Sequence, residues 1–167
     1  MALGYGPIHK LTAAECVESF DCGQPALNQF LKRYALVNQR AGGANSYVCC
    51  VGQEVVGFYS LAAGSVEPKT APLRVVKGLS RHPVPVMVLA RLAVDKSYQG
   101  MGLGIALIKD ALLRTLQVSD IIGIRALIVH AKDDIIRDWY MQWEFEPSPT
   151  NRLHLFLLIK DIKDLVG

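Results

Sequence analysis

The chain has 167 residues, enough for one domain with its own core and too few for two comfortable ones. It is 51% apolar and 20% charged, the balance of a globular protein, with no apolar run near the ~20 residues that span a bilayer and no secretion-signal pattern at the N-terminus. Its four cysteines, Cys16, Cys22, Cys49 and Cys50, have no metal-ligand spacing, so no metal is expected and a reduced, cytoplasmic setting is.

Charge is unevenly spread. Lys69, Arg74, Lys77, Arg81 and Arg91 fall between Pro68 and Val94, where there is no acid, so this stretch is +5 and the rest of the chain −2. That asymmetry is either one basic surface on a mildly acidic body or a solvated loop kept soluble by its lysines and arginines.

In chain order, residues 6–11 offer a short first strand. Over 25–40, Leu27, Phe30, Leu31, Tyr34 and Val37 recur at helical spacing, with Pro25 in the first turn and Gly42-Gly43 past the end. Residues 45–51 and 55–64 read as a hairpin closed by Gly52-Gln53-Glu54. Residues 65–85 hold Pro68, Pro72, Pro83 and Pro85 and most of the basic cluster, a long excursion with irregular or short helical pieces. The run 86–94 is too apolar for a strand with one wet face and is expected to be central and buried on both sides. A helix over 102–117, a strand over 125–131, a short helix capped by Asp133 or Asp134 and ending at Met141, and a last strand over 153–159 complete the pattern. The sum is a single α+β domain around a mixed sheet, spanning 1–167.

Chemistry concentrates in Leu89-Ala90-Arg91-Leu92-Ala93-Val94-Asp95 and the following Ser97-Tyr98-Gln99-Gly100-Met101-Gly102-Leu103-Gly104. An apolar strand ends at an acid, three glycines alternate, and a helix begins. Such a turn presents unpaired backbone N–H groups at a helix N-terminus with no side chains in the way, which makes an anion site. A P-loop would need Gly-Lys-Ser/Thr, which is absent. A dinucleotide turn would follow the first strand of a βαβ unit, not a hairpin and a long excursion.

Gln99-Gly100-Met101-Gly102-Leu103-Gly104 resembles the acetyl-CoA motif of the GNAT N-acetyltransferase superfamily, Gln/Arg-x-x-Gly-x-Gly/Ala, and the order of elements matches along nearly the whole chain. The resemblance implies a GNAT fold: a mixed central sheet with helices on both faces, its central strand pair splayed where a bulge in the strand ending at Val94 parts it from the strand over 125–131. It implies acetyl-CoA as cosubstrate, with the pantetheine arm along Leu92, Ala93 and Val94 and the pyrophosphate on the turn from Gln99 and Gly100 through Met101, Gly102, Leu103 and Gly104 to Ile105.

More narrowly, Phe20-Asp21-Cys22-Gly23 leading to Leu27-Asn28-Gln29-Phe30-Leu31, then Gly57-Phe58-Tyr59-Ser60-Leu61, Leu92-Ala93-Val94-Asp95 and Trp139-Tyr140, resemble the GNAT-fold toxins of bacterial toxin–antitoxin pairs. This implies an enzyme that acetylates the α-amine of the amino acid on charged tRNA and so stops translation. It also implies a homodimer, silenced by a ribbon-helix-helix antitoxin through which alone operator DNA would be bound. One departure is visible. The family often has Phe-Tyr-x-x-x-Gly-Phe in the late helix, where this chain has Trp139-Tyr140-Met141-Gln142-Trp143-Glu144-Phe145.

Acid–base chemistry agrees with that acceptor. An amine must be neutral to attack a thioester; a lysine titrates near ~10.4 and needs a base, whereas an α-amine titrates near ~7.7–8, and lower when esterified. A dedicated general base is then unnecessary, and no Glu or His stands near the motif. The leaving thiolate, from a thiol of pKa ~8.5, gains from a proton donor. The resemblance names Tyr140, although Ile136, Trp139, Tyr140 and Trp143 at helical spacing read first as core packing. A backbone N–H near Val94 is the expected oxyanion donor. Arg91, inside an apolar strand, must either pair with a carboxylate or face the substrate cleft. With Lys69, Arg74, Lys77 and Arg81 it forms the candidate tRNA-binding set. His9, His82, His130 and His154 receive no role. The alternatives are a GNAT acting on a protein N-terminus, polyamine or other small-molecule amine, and a non-catalytic GNAT fold.

Overall fold

A computed structural model describes residues 4–79 and 82–166. Arg81, one of the candidate tRNA-binding residues, lies outside the described residues. Seven strands, β1 (His9–Lys10), β2 (Asn45–Val51), β3 (Glu54–Val66), β4 (Val84–Val94), β5 (Ala126–His130), β6 (Glu146–Pro147) and β7 (His154–Leu158), stand in the order β1-β2-β3-β4-β5-β7-β6 in one mixed sheet. No helix among the described residues is long and apolar enough to cross a membrane. The chain divides into two compact units: the first runs to Ala62 and takes in Ala90–Ala111, and the second comprises Ala63–Leu89 and the residues from Leu112 onward.

In the first unit, helix α1 (Pro25–Gln29) passes through a π-helical turn (Phe30–Tyr34) into α2 (Ala35–Arg40). The spacing predicts one continuous amphipathic helix, and the π-turn changes its register. The residue it inserts rotates the apolar row by one position, so Phe30, Leu31 and Ala35 are buried while Tyr34 and Val37 stand 53% and 64% exposed.

The hairpin closes in two residues, Gly52-Gln53, with Gly52 at φ +61° and Val51 opposite Glu54. A positive φ at the first central position matches the twist of the strands and suits glycine. The pairing slips between Cys49, opposite Gly57, and Cys50, opposite Val55, leaving Val56 as a bulged extra residue. Its carbonyl accepts the Asp95 N–H at 2.8 Å, which ties the bulge to the end of β4.

Phe58 centres the core of this unit, edge-on to Phe20 at 5.6 Å and stacked with Phe30 at 6.3 Å. Truncating such a ring to alanine costs about 3–5 kcal/mol. Helix α4 (Leu103–Ser119) sits directly over Gly57, where a Cβ would lie 3.0 Å from Leu103 Cδ2 and 3.1 Å from Leu107 Cδ1.

In the second unit, β4 pairs in parallel with β5 from Val86↔Ala126 to Val88↔Ile128, and β5 pairs antiparallel with β7 out to His130↔His154. The expectation that 86–94 is buried on both sides holds for part of the run, mostly in its first half. Val86, Met87, Leu89 and Ala93 are buried, Val88, Arg91, Leu92 and Val94 are half-buried, and Ala90 is exposed. The parallel ladder covers only its first residues, so the later part of β4 is covered less completely.

The excursion contains a 3-10 turn (Pro68–Thr70) and a one-turn helix α3 (Leu73–Val76). Asp133, not Asp134, caps α5 (Asp134–Met141), its side chain accepting the Ile136 N–H at 2.9 Å. The last strand ends at Leu158, and Ile159–Val166 forms a helix, α6, that the apolar pattern leaves unannounced. Only Ile162 of α6 is fully buried, so its stripe is too short to read as a period.

Candidate active site

The turn after β4 is held by a dense set of hydrogen bonds. The Asp95 carboxylate accepts from Ser97 N at 2.9 Å, capping the 3-10 turn Lys96–Tyr98, and from Asp21 N at 3.0 Å. Lys96 N donates to Asp21 O at 2.8 Å. Gln99 Nε2 donates to Val94 O at 2.8 Å and to Cys22 O at 3.2 Å. The first residue of the glycine motif therefore fastens the turn with its side chain, and it engages the carbonyl of Val94, one of the residues expected along the pantetheine arm.

Beyond Gln99, Gly100 and Gly102 adopt φ +78° and +87°, conformations that glycine takes without steric cost. Among the described residues, chain neighbours aside, no atom lies within 4 Å of where a Cβ would stand at either position, so the ground above the turn is open. The first α4 bond of this stretch runs from Ala106 N to Gly102 O. The amides of Leu103, Gly104 and Ile105 precede it and belong to the first turn, which has no intrahelical acceptors. Leu103 is anchored in the core while Met101 and Ile105 are exposed. Several N–H groups facing open space at a 17-residue helix's positive end fit a diphosphate.

Arg91 shares this unit. Its guanidinium lies 3.6 Å above the Phe30 ring centroid, a contact the sequence reading did not include. A cation over an aromatic face keeps part of its stabilisation when partly buried, and burial lowers its pKa.

Tyr140 lies in the second unit, on α5. Its ring packs edge-on against Trp139 at 5.0 Å and Phe145 at 5.7 Å, and it is 5% exposed. Burial pushes its phenol pKa well above the ordinary 10. The phenol therefore keeps its proton at any physiological pH, so it can donate a hydrogen bond and is no base. Tyr140 O accepts the Trp143 N–H at 3.1 Å, and the chain then reverses through Glu144 at φ +66°. Glutamate thus adopts the left-handed conformation at the position where the resembling toxins often carry glycine, and the local turn survives the departure. Left-handed backbone costs a side-chain-bearing residue about 1–2 kcal/mol, partly offset by glycine's larger unfolded-state entropy. Glu144→Gly should stabilise the chain by about 0.5–1 kcal/mol in urea unfolding, and Glu144→Val should destabilise it.

Comparison with known proteins places this geometry. The model of the acetyltransferase (GNAT) family matches residues 11–145. The chain belongs to the acetyltransferase (GNAT) family. This acetyltransferase is 46% identical over 164 residues, 98% of either chain, to a tRNA-acetylating toxin of Mycobacterium tuberculosis. Among solved structures it resembles the toxin AtaT complexed with acetyl-methionyl-tRNAfMet, at TM-score 0.89 and 30% identity, covering 96% of this chain and 99% of that one. It also resembles a Tyr-to-Phe mutant of AtaT bound to the C-terminus of the antitoxin AtaR and acetyl-CoA, at TM-score 0.82 and 30% identity, covering 95% and 96%.

The basic residues of the GNAT chain divide by what they touch. Lys69 and Lys77 are exposed, on the 3-10 turn and at the end of α3. Arg74 is committed within the second unit: it bonds Glu146 of β6 and, through Nη1 and Nη2 at 3.0 Å each, Asp161 of α6. Two carboxylates on one guanidinium leave little charge for a phosphate. Arg125, to which sequence reasoning assigned nothing, donates from Nε to Val75 O at 2.7 Å and from Nη2 to Lys77 O at 2.8 Å. It satisfies the carbonyls at the C-terminal end of α3, which a one-turn helix cannot satisfy itself. His130 and His154 stack across β5 and β7 at 3.9 Å. Among the described residues no group of three or more His, Cys, Asp or Glu side chains converges as a metal site requires.

Proposed function

We propose that this chain transfers an acetyl group from acetyl-CoA to the α-amine of the amino acid on charged tRNA, blocking translation, and that a cognate antitoxin silences it. The observation that carries this reading is the full-length 46% identity to a tRNA-acetylating toxin, joined to an open glycine turn that fits the cosubstrate's diphosphate. The working unit is one acetyltransferase domain over 1–167. It acts in the cytoplasm as a homodimer, and a ribbon-helix-helix antitoxin supplies the contact with operator DNA.

Bound acetyl-CoA supplies the thioester carbonyl and the sulfur that leaves. The chain's own residues bind, orient and donate. Backbone N–H groups of Gly100 to Ile105 hold the diphosphate, and the end of β4, Leu92 to Val94, lines the arm. Tyr140 donates a hydrogen bond to the departing sulfur. A phenol above pKa 10 cannot hand its proton fully to a thiolate of ~8.5 without a cost of at least about 2 kcal/mol, so its part is to stabilise the negative charge as the bond breaks. The acceptor amine needs no protein base, because an esterified α-amine is largely neutral at cellular pH.

Incubation with labelled acetyl-CoA and a pool of charged tRNAs should give N-acetylated aminoacyl-tRNA. Label in a free polyamine or a protein N-terminus instead would move the assignment to the alternative GNAT activity. Expression of the chain alone should arrest growth, and Tyr140→Phe should relieve the arrest.

Phosphate binding falls to the exposed lysines. The double variant Lys69→Ala/Lys77→Ala should weaken tRNA binding and reduce its salt slope by roughly one for each phosphate that is no longer neutralised. Arg74→Ala should lower stability with little change in that slope. An unchanged slope in the double variant would remove the excursion from the tRNA surface.

A further inference from the structure

We infer that Asp21 is a positioning residue for acetyl-CoA: without touching the cosubstrate, it sets the alignment of the diphosphate-binding turn. This rests on the acetyltransferase reading above and adds a residue to it.

The turn is poorly suited to hold its own shape. Two of its glycines stand in the left-handed region, and Lys96, Ser97, Gln99, Gly100 and Met101 are exposed. Ordering glycine costs more backbone entropy than ordering any other residue, and no buried side chain intervenes between Asp95 and Leu103 to offset it. What fixes the turn is a segment more than seventy residues earlier in the chain. Asp21 N reaches Asp95 Oδ2, 74 positions away, and Asp21 O receives Lys96 N. Cys22 O receives the Gln99 amide, 77 positions away. The start and the middle of the turn thus hang on two consecutive residues.

Those two residues are in turn held by one carboxylate. Asp21 Oδ1 accepts from Gly23 N at 2.9 Å and from Asn28 Nδ2 at 3.0 Å, and Asp21 Oδ2 takes Lys96 Nζ at 3.1 Å. Asn28 Oδ1 completes the ring by accepting Cys22 N at 2.9 Å. The Gly23 amide first, then Asn28 and Lys96, lower the Asp21 pKa to about 2, so the carboxylate stays charged wherever the enzyme works. One side chain therefore bridges α1, the bend at Gly23 and the turn itself.

Asp21 is half-exposed and fills no core. Removing its side chain takes away hydrogen bonds and leaves the packing of Phe20, Phe30 and Phe58 in place. The groups then free to drift carry the Gly100 to Ile105 amides, and binding a diphosphate through several N–H groups depends on their mutual alignment. The loss should appear in cosubstrate affinity and not in the chemical step.

The test uses the full-length chain and its Asp21→Ala and Asp21→Asn variants. Calorimetric titration with CoA should show Kd raised about tenfold in Asp21→Ala and less in Asp21→Asn. At saturating acetyl-CoA the kcat should stay within about twofold of the wild type. With acetylpantetheine, a thioester that lacks the diphosphate, Asp21→Ala should match the wild type. Amide exchange over residues 100–105 should accelerate in the unliganded variant. A folded Asp21→Ala chain that binds CoA as the wild type does, or that loses acetylpantetheine turnover in equal measure, would overturn the inference. If Asp21→Ala does not fold, Asn28→Ala serves, since it keeps the carboxylate on Gly23 and Lys96 and should weaken CoA binding about threefold. A wild-type chain that fails to bind CoA would instead overturn the acetyltransferase reading.

Discussion

Tyr140→Phe should fold normally and lose acetyl transfer by about 10²-fold or more in single-turnover assays with charged tRNA. The fold survives because the ring's contacts with Trp139 and Phe145 are those of a phenyl group, which phenylalanine keeps. The change in stability should stay below about 1 kcal/mol. Activity should fall because the proposed mechanism assigns the hydroxyl to the leaving sulfur. Its environment also predicts the pH behaviour. Burial raises its pKa above 10, so the proton stays in place throughout the range in which the acceptor amine becomes neutral. The wild-type rate should rise as that amine deprotonates and show no falling limb from Tyr140 below about pH 10. An unchanged single-turnover rate in the variant would take Tyr140 out of the mechanism.

Gly102→Val should raise the Kd for acetyl-CoA about 30-fold or more, at a cost of about 1–2 kcal/mol in stability. The two effects have separate origins. At φ +87° a β-branched residue is strained wherever it sits, and that strain sets the stability loss. Among the described residues, chain neighbours aside, no atom lies within 4 Å of the added Cβ, so the core is not disturbed. On the proposed reading the added side chain would occupy open ground assigned to the diphosphate. Gly102→Ala should fall between wild type and valine in a CoA titration. Tight binding by the valine variant would show that the diphosphate sits elsewhere.

The contrast between these residues explains what could be read before the fold was known. The glycine turn was legible because its signal is local: an apolar strand, an acid, alternating glycines and a helix follow one another within sixteen residues. The hairpin was legible for the same reason, since two residues at Gly52-Gln53 decide where the chain reverses. The helix over 25–40 was located correctly but its buried face was misjudged beyond Leu31. A π-turn has no reliable sequence mark, and one inserted residue exchanges Tyr34 for Ala35 in the core. Helix α6 was missed because a single buried residue, Ile162, defines no period.

The candidate site shows the same division. Gly100, Gly102 and the helix start needed only their neighbours to be recognised. Asp21 and Asn28 stood in a family-like motif with no role attached, because their partners lie far along the chain or require a bend at Gly23 to be reached. Arg74 counted as free charge until Glu146 and Asp161 met it. The Phe30 ring beneath the Arg91 guanidinium, 61 positions earlier, is likewise visible only in the fold. By itself the sequence determined the fold class, the anion-binding turn and the family likeness, since these follow from periodicity, glycine conformation and spacing, all properties of short stretches. Only the tertiary structure decided which charges are already neutralised and which distant residues hold the turn in shape. A side chain's partner depends on where the backbone returns, and the 74 positions from Asp21 to Asp95 leave that choice to the packed sheet and helices.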